Sequence, residues 1–186
     1  PDLVVWPETA LSASLSPEAE YDFGVSRPSG NLALGPVWKD EQGGIHRLSD
    51  FEDEIEDVTL KVQKETPDEV VFEVIYFGEL GGCGKVVERY SLSSGGLAYS
   101  VRLDPEPPEQ WILVPVIFSD GQEEASVSEN ASGVEAAYRG AVYRMHVRPG
   151  KERKFAEDPP GANRNALYRT LEVHDDRVSV ELALLG

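Results

Sequence analysis

Polar chemistry is densest in Asn163-Arg164-Asn165-Ala166-Leu167-Tyr168-Arg169. Amides, guanidinium groups and a phenol ring this close together suit a sugar or a carboxylate. The ring stacks on a sugar face, and the planar Arg fork bonds hydroxyls or a carboxylate through paired N–H groups. The same residues also suit a loop anchor, with Asn and Arg satisfying backbone carbonyls. A second basic group lies in Tyr143-Arg144-Met145-His146-Val147-Arg148. Alternation there puts Arg144, His146 and Arg148 on one face and Tyr143, Met145 and Val147 on the other. In an acidic chain that face is a candidate anion contact, with cross-strand pairing to Glu as the plainer alternative. The ligand-binding candidates are therefore Asn163, Arg164, Asn165, Tyr168, Arg169, His146 and Arg144.

Other constellations carry less. His46, His146 and His174 are scattered, and none has a partner at the i, i+2 or i+4 spacing of a metal pair. No metal and no cofactor is expected. The run Asp50, Glu52, Asp53, Glu54, Glu56, Asp57 has calcium-type oxygens, but lacks the EF-hand spacing and its Gly, and reads as a solvated acidic face. Gly78-Glu-Leu-Gly-Gly-Cys-Gly-Lys85 is glycine-rich, yet no Ser or Thr follows the Gly-Lys pair. Val86 begins a strand where a phosphate loop needs a helix N-terminus. A flexible hairpin loop with an exposed Cys83 is expected. Cys83 is the only cysteine, which excludes an intrachain disulfide.

The elements that must position these residues are strands. Leu97, Tyr99, Val101 and Leu103 alternate with Ala98, Ser100 and Arg102, and Val178, Val180, Leu182 and Leu184 alternate with Arg177, Ser179 and Glu181. A period of two means strands with one buried and one wet face. Strand candidates cover 3–6, 21–25, 32–38, 45–48, 58–63, 69–77 and 85–92, then 97–103, 111–118, 125–127, 134–138, 142–147, 167–173 and 177–185. The pattern predicts an all-β chain: an antiparallel two-sheet β-sandwich of about 12–14 strands with very little helix. Phe72, Val74, Tyr76, Tyr99, Val101, Ile112, Val114, Val116, Val180 and Leu182 are expected inside. Residues 149–165 read as one long polar loop, and 49–57 as one or two helical turns capped by Ser49. Alternation also separates Tyr168 from Arg169 across their sheet.

The formal net charge of −17 over 186 residues argues against nucleic acid or an anionic membrane as partner. It also opposes a polyanion, unless Arg and Lys cluster locally. No apolar run reaches the roughly 20 residues of a membrane helix. Because the first residue is Pro1, the expectation is one sandwich domain over residues 1–186, part of a longer protein. Its compartment, cytoplasmic or exported, stays open.

Three stretches carry a resemblance. They are Val86-Val-Glu-Arg-Tyr-Ser-Leu-Ser-Ser-Gly-Gly-Leu-Ala-Tyr-Ser-Val-Arg102, then Leu113-Val-Pro-Val-Ile-Phe-Ser-Asp-Gly121 with Tyr138-Arg-Gly140, and Asn163-Arg-Asn165 with Tyr168-Arg169. Together they resemble the β-sandwich (supersandwich) domains of bacterial heparinase II/III-type polysaccharide lyases and related carbohydrate-active enzymes. In those enzymes the catalytic Tyr and His sit mainly on a helical toroid, with the sandwich walling the cleft. This chain has no toroid, so no catalytic residue is carried over. The resemblance implies a non-catalytic sandwich domain associated with polysaccharide processing or binding, with a saccharide as partner. Two alternatives remain. One is a small saccharide-active lyase or epimerase, using His146 or His174 with a Tyr as acid and base. The other is an adhesion or assembly module working through exposed strand edges.

Overall fold

A computed structural model describes residues 34–157, 161–162 and 167–184. The candidate strands at 3–6 and 21–25, the start of 32–38, and Asn163, Arg164 and Asn165 lie outside the described residues.

Alternating apolar positions form β1 (Gly35–Lys39), β2 (Ile45–Arg47), β3 (Ile55–Glu65), β4 (Glu69–Leu80), β5 (Cys83–Ser93), β6 (Gly96–Asp104) and β7 (Glu109–Ser119). They continue through β8 (Ser126–Asn130), β9 (Gly133–Tyr138), β10 (Ala141–His146), β11 (Arg153–Phe155), β12 (Gly161–Ala162), β13 (Leu167–Val173) and β14 (Arg177–Leu184). One antiparallel sheet runs β11-β13-β7-β1-β2, with β12 also paired to β13. The other runs β3-β4-β5-β6-β14-β10-β9-β8. The chain is an all-β, two-sheet sandwich. Among the described residues no helix is long and apolar enough to cross a membrane.

The inward faces meet in one core that includes Trp38, Phe72, Val74, Tyr76, Tyr90, Tyr99, Val101, Ile112, Val114, Val116 and Leu171. Phe72 stacks on Tyr90 at 5.0 Å, and Tyr90 tilts against Tyr99 at 5.1 Å. Val180 packs on this core only in part. Leu182, expected inside, is half-buried. It lies past Glu181, where the pairing of β14 with β6 ends, so one flank is uncovered.

The sheets are pinned together at the β4–β5 turn. Gly81 and Gly82 sit at φ 54° and 87°, the twin positive values of a two-residue hairpin whose twist matches its strands. Trp38 Nε1 donates to the Gly81 carbonyl at 3.0 Å. A Cβ on Gly81 would lie 2.5 Å from the His46 ring, so His46 packs where only glycine leaves room.

Three local expectations are corrected. The glycine-rich segment is this tight turn rather than a flexible loop, and Cys83 is buried beneath it, with its thiol pKa raised by burial and then by the Asp104 charge. The helical segment expected over 49–57 is a single 3-10 turn (Leu48–Phe51) with Arg47 rather than Ser49 at its N-cap. Of the acidic run it holds only Asp50, whose carboxylate accepts from the Arg47 backbone N–H at 2.9 Å. The run's later residues belong to β3. The stretch 149–165 contains β11 and β12, both anchored by pairing with β13.

One carboxyl lies deep between the sheets. Glu88 lies between Val86 and Tyr90 and is only 3% exposed. Tyr99 donates its hydroxyl to Glu88 Oε1 at 2.5 Å. Burial pushes the Glu88 pKa up, against the opposing pull of the Tyr99, Tyr76 and Tyr90 hydroxyls. The Tyr76 hydroxyl faces the carboxyl without reaching hydrogen-bond geometry. A carboxyl whose folded pKa exceeds its unfolded value binds an extra proton in the folded state, so it costs stability as pH rises between the two. Glu88→Gln keeps an acceptor for Tyr99 without a charge to bury. Thermal melts are expected to show it more stable than the parent at pH 8, with the gap closing below about pH 4.5, the usual glutamate range. A variant less stable at pH 8 contradicts this reading.

Candidate functional site

The site begins with the three residues of β11. Arg153, Lys154 and Phe155 pair with Val173, Glu172 and Leu171 of β13. Since Leu171 and Val173 face the core, Arg153 and Phe155 also point between the sheets. Lys154 takes the other face and pairs with Glu172 at 3.4 Å. Arg169 lies two residues before Leu171, opposite Val116, and shares the inward face. Its guanidinium centre is 4.4 Å from the Phe155 ring centroid, a cation–π contact that fixes both groups against one another.

Across the gap, the edge strand β8 supplies Val127 and Glu129. Arg153 Nη2 donates to the Asn130 carbonyl, tying the edge of one sheet to the edge of the other. Between them lies a cavity of about 520 Å³ lined by Val127, Glu129, Arg153, Lys154, Phe155 and Arg169. That volume falls within the usual range of small-ligand sites. Arg153 Nε is buried without a hydrogen-bond partner. Among the described residues neither Arg153 nor Arg169 forms an ion pair, and Glu129 is the only carboxylate in the lining. The arrangement offers guanidinium N–H groups, one aromatic ring and one acceptor to a partly desolvated ligand.

Of the singled-out residues that the structure describes, Arg169 alone lines this cavity. Tyr168 is buried on the opposite face of β13 against Ile117, as alternation requires. Asn163, Arg164 and Asn165 lie outside the described residues. Arg144 and His146 do not join Arg169. They project from the far side of the larger sheet, where Arg144 binds Glu135 at 2.8 Å and Glu181 at 3.5 Å, and His146 meets Glu181 at 3.3 Å. Cross-strand carboxylates occupy that basic face. His46 bonds Asp40 at 2.7 Å, and this contact, with the Gly44 backbone N–H, holds the Asp40 pKa low. His174 stacks on Trp111 at 5.4 Å. Among the described residues no three His, Cys, Asp or Glu side chains converge to hold a metal ion.

The sequence reading missed Arg153, Phe155, Val127 and Glu129. The available signal was Arg153-Lys154-Phe155, a basic–aromatic triplet with too few neighbours to show a strand period. Comparison of the chain with protein-family models, with curated proteins and with solved structures finds no match.

Arg148 is the basic residue of β10's neighbourhood with a structural task. Its Nε donates to Asp175 Oδ2 at 2.7 Å, and its Nη2 reaches Asp176 at 2.6 Å. The Asp175 side chain is fully buried. Burial alone would raise its pKa, but the bonds from Arg148 and from the Asp176 backbone N–H outweigh this and lower it. A depressed carboxyl pKa contributes stability above the unfolded value near 3.8, and that contribution is lost as pH falls through the folded value. Arg148→Ala is therefore expected to melt well below the parent at pH 7, with the gap closing in strong acid. An equal gap at pH 7 and pH 2 contradicts this account.

Proposed function

We propose that this chain is a non-catalytic β-sandwich module that binds an acidic saccharide, a uronate-bearing segment of a polysaccharide, in the cleft between β8 and the β11–β13 edge. The observation that carries the reading is the pair of inward guanidinium groups, Arg153 and Arg169, flanking Phe155 in a cavity of about 520 Å³. A carboxylate matches the guanidinium fork, the Phe155 ring suits the apolar face of a sugar, and Glu129 accepts from hydroxyls. The overall charge of −17 repels polyanions at a distance. At about 0.15 M salt that repulsion is screened beyond roughly 8 Å, so a local pair of arginines decides the contact. Arginine does not exchange protons near neutral pH, and a lone carboxylate offers no acid–base pair. The cleft chemistry therefore favours holding a chain over cleaving it. The resemblance to the sandwich domains of heparinase II/III-type lyases leads to the same ligand class.

Titration calorimetry with an oligogalacturonide and with a neutral oligosaccharide of equal length tests this. Binding is expected for the uronate oligomer and weak or absent for the neutral one. Arg169→Ala is expected to weaken binding by about 10- to 100-fold, the worth of one charge-assisted hydrogen bond of about 1.5–3 kcal/mol. Arg169→Lys retains the charge but loses the fork, and should fall between. Equal binding by Arg169→Ala and the parent, or no uronate binding at all, overturns the proposal.

A further inference from the structure

The strand β3 is the free edge of the larger sheet, and its composition is self-complementary. Val58, Leu60 and Val62 pair with Tyr76, Val74 and Phe72, so they share the core-facing side of the sheet. They are nonetheless 50%, 53% and 57% exposed. Among the described residues no strand pairs with the outer edge of β3. An edge of this kind presents unpaired N–H and C=O groups beside an apolar stripe, which is a template for another strand.

We propose that β3 is the contact of a two-fold dimer, in which the edges of two copies pair antiparallel about Leu60. Two observations select a second copy and this register. The stripe is symmetric about Leu60, so antiparallel pairing there sets Leu60 against the partner's Leu60 and Val58 against the partner's Val62. Cross-strand pairs of this type bring Cβ atoms to about 4.5–5.5 Å. The charges are asymmetric along the strand, with Glu56 and Asp57 at its start and Lys61 and Lys64 in its second half, ahead of the terminal Glu65. Antiparallel pairing lays Glu56 and Asp57 along the partner's Lys64 and the partner's Gln63. Lys61, opposite the partner's Thr59, comes diagonal to the partner's Lys61 and to the partner's Asp57, the latter within reach of a long side chain. Lys64 already holds Glu69 at 2.5 Å, which leaves Lys61 for that contact.

Neighbouring registers fail on the same residues. Centring on Thr59 sets Val62 against the partner's Glu56. Centring on Lys61 sets Lys61 against the partner's Lys61. A one-residue slip turns the apolar stripe against the polar face. Irregularities between Ile55 and Asp57 and between Val62 and Lys64 confine regular pairing to residues 57–62. The contact is isologous and closes at two copies.

Sedimentation velocity of the full chain over a concentration series, joined to two variants, tests this. The parent is expected to pass from monomer to dimer as concentration rises. Leu60→Lys places like charges on the two-fold axis and is expected to weaken the dimer by about tenfold or more. Leu60 is half-exposed, so circular dichroism should show the fold unchanged. Leu60→Cys is expected to give a disulfide-linked dimer on mild oxidation, while the parent, whose Cys83 is buried, does not cross-link. A parent that stays monomeric at every concentration overturns the proposal. So does a dimer unaffected by Leu60→Lys, or a Leu60→Cys variant that fails to cross-link.

Discussion

The interior is filled from two sheets of unequal width, and the molecule's open surfaces fall where the narrower sheet runs out. Among the described residues five strands lie side by side in one sheet and eight in the other. At about 4.8 Å per strand spacing the spans are roughly 19 Å and 34 Å. The smaller sheet covers the middle of the larger, where Tyr90, Tyr99, Ile112 and Leu171 are fully buried. It cannot cover both flanks. On one flank β3 keeps the inward phase of a core strand but stays exposed. On the other, β8 and β11 meet edge to edge, and the gap between them takes charged side chains.

That mismatch explains how Arg153 and Arg169 face inward without the cost of a buried, isolated charge. Toward the centre of the sandwich an unpaired guanidinium would lose several kcal/mol of hydration. At the flank it keeps partial solvent access while its stem lies along apolar surface. Phe155 and the Asn130 carbonyl then hold the two guanidinium groups in place. Glu88 is the contrasting case. It sits deep between the sheets, where burial raises the carboxyl pKa and the neighbouring tyrosine hydroxyls only partly offset it. One fold thus sets two environments for charge, and only the flank is reachable by a ligand.

The strands were legible because most are long and strictly alternating. Residues 97–103 and 177–184 show the period without help from tertiary context. Charges around β10 were legible as a face with cross-strand Glu as its plainer partner, and those partners are Glu135 of the adjoining hairpin strand β9 and Glu181 of the sequence-distant β14. The cleft was mostly hidden. A three-residue strand such as β11 carries no measurable period, and it exists because β13 offers it an edge. Alternation did separate Tyr168 from Arg169, yet which of them turned inward depended on the width of the opposing sheet. An inward Arg contradicts the apolar-in rule that sequence reading relies on. Cys83 was misread for a related reason, since the turn above it is closed by Trp38 and His46 from the other sheet.

The central claim is that the β8–β11 flank is where this module meets its ligand. Amide hydrogen exchange, followed by mass spectrometry with and without a saturating oligogalacturonide, reads that location directly. The account predicts slower exchange in Ser126–Asn130, Arg153–Phe155 and Leu167–Val173, with β10 unchanged. Slowing centred on β10 and its Arg144 and His146 face, or no slowing anywhere, would contradict it.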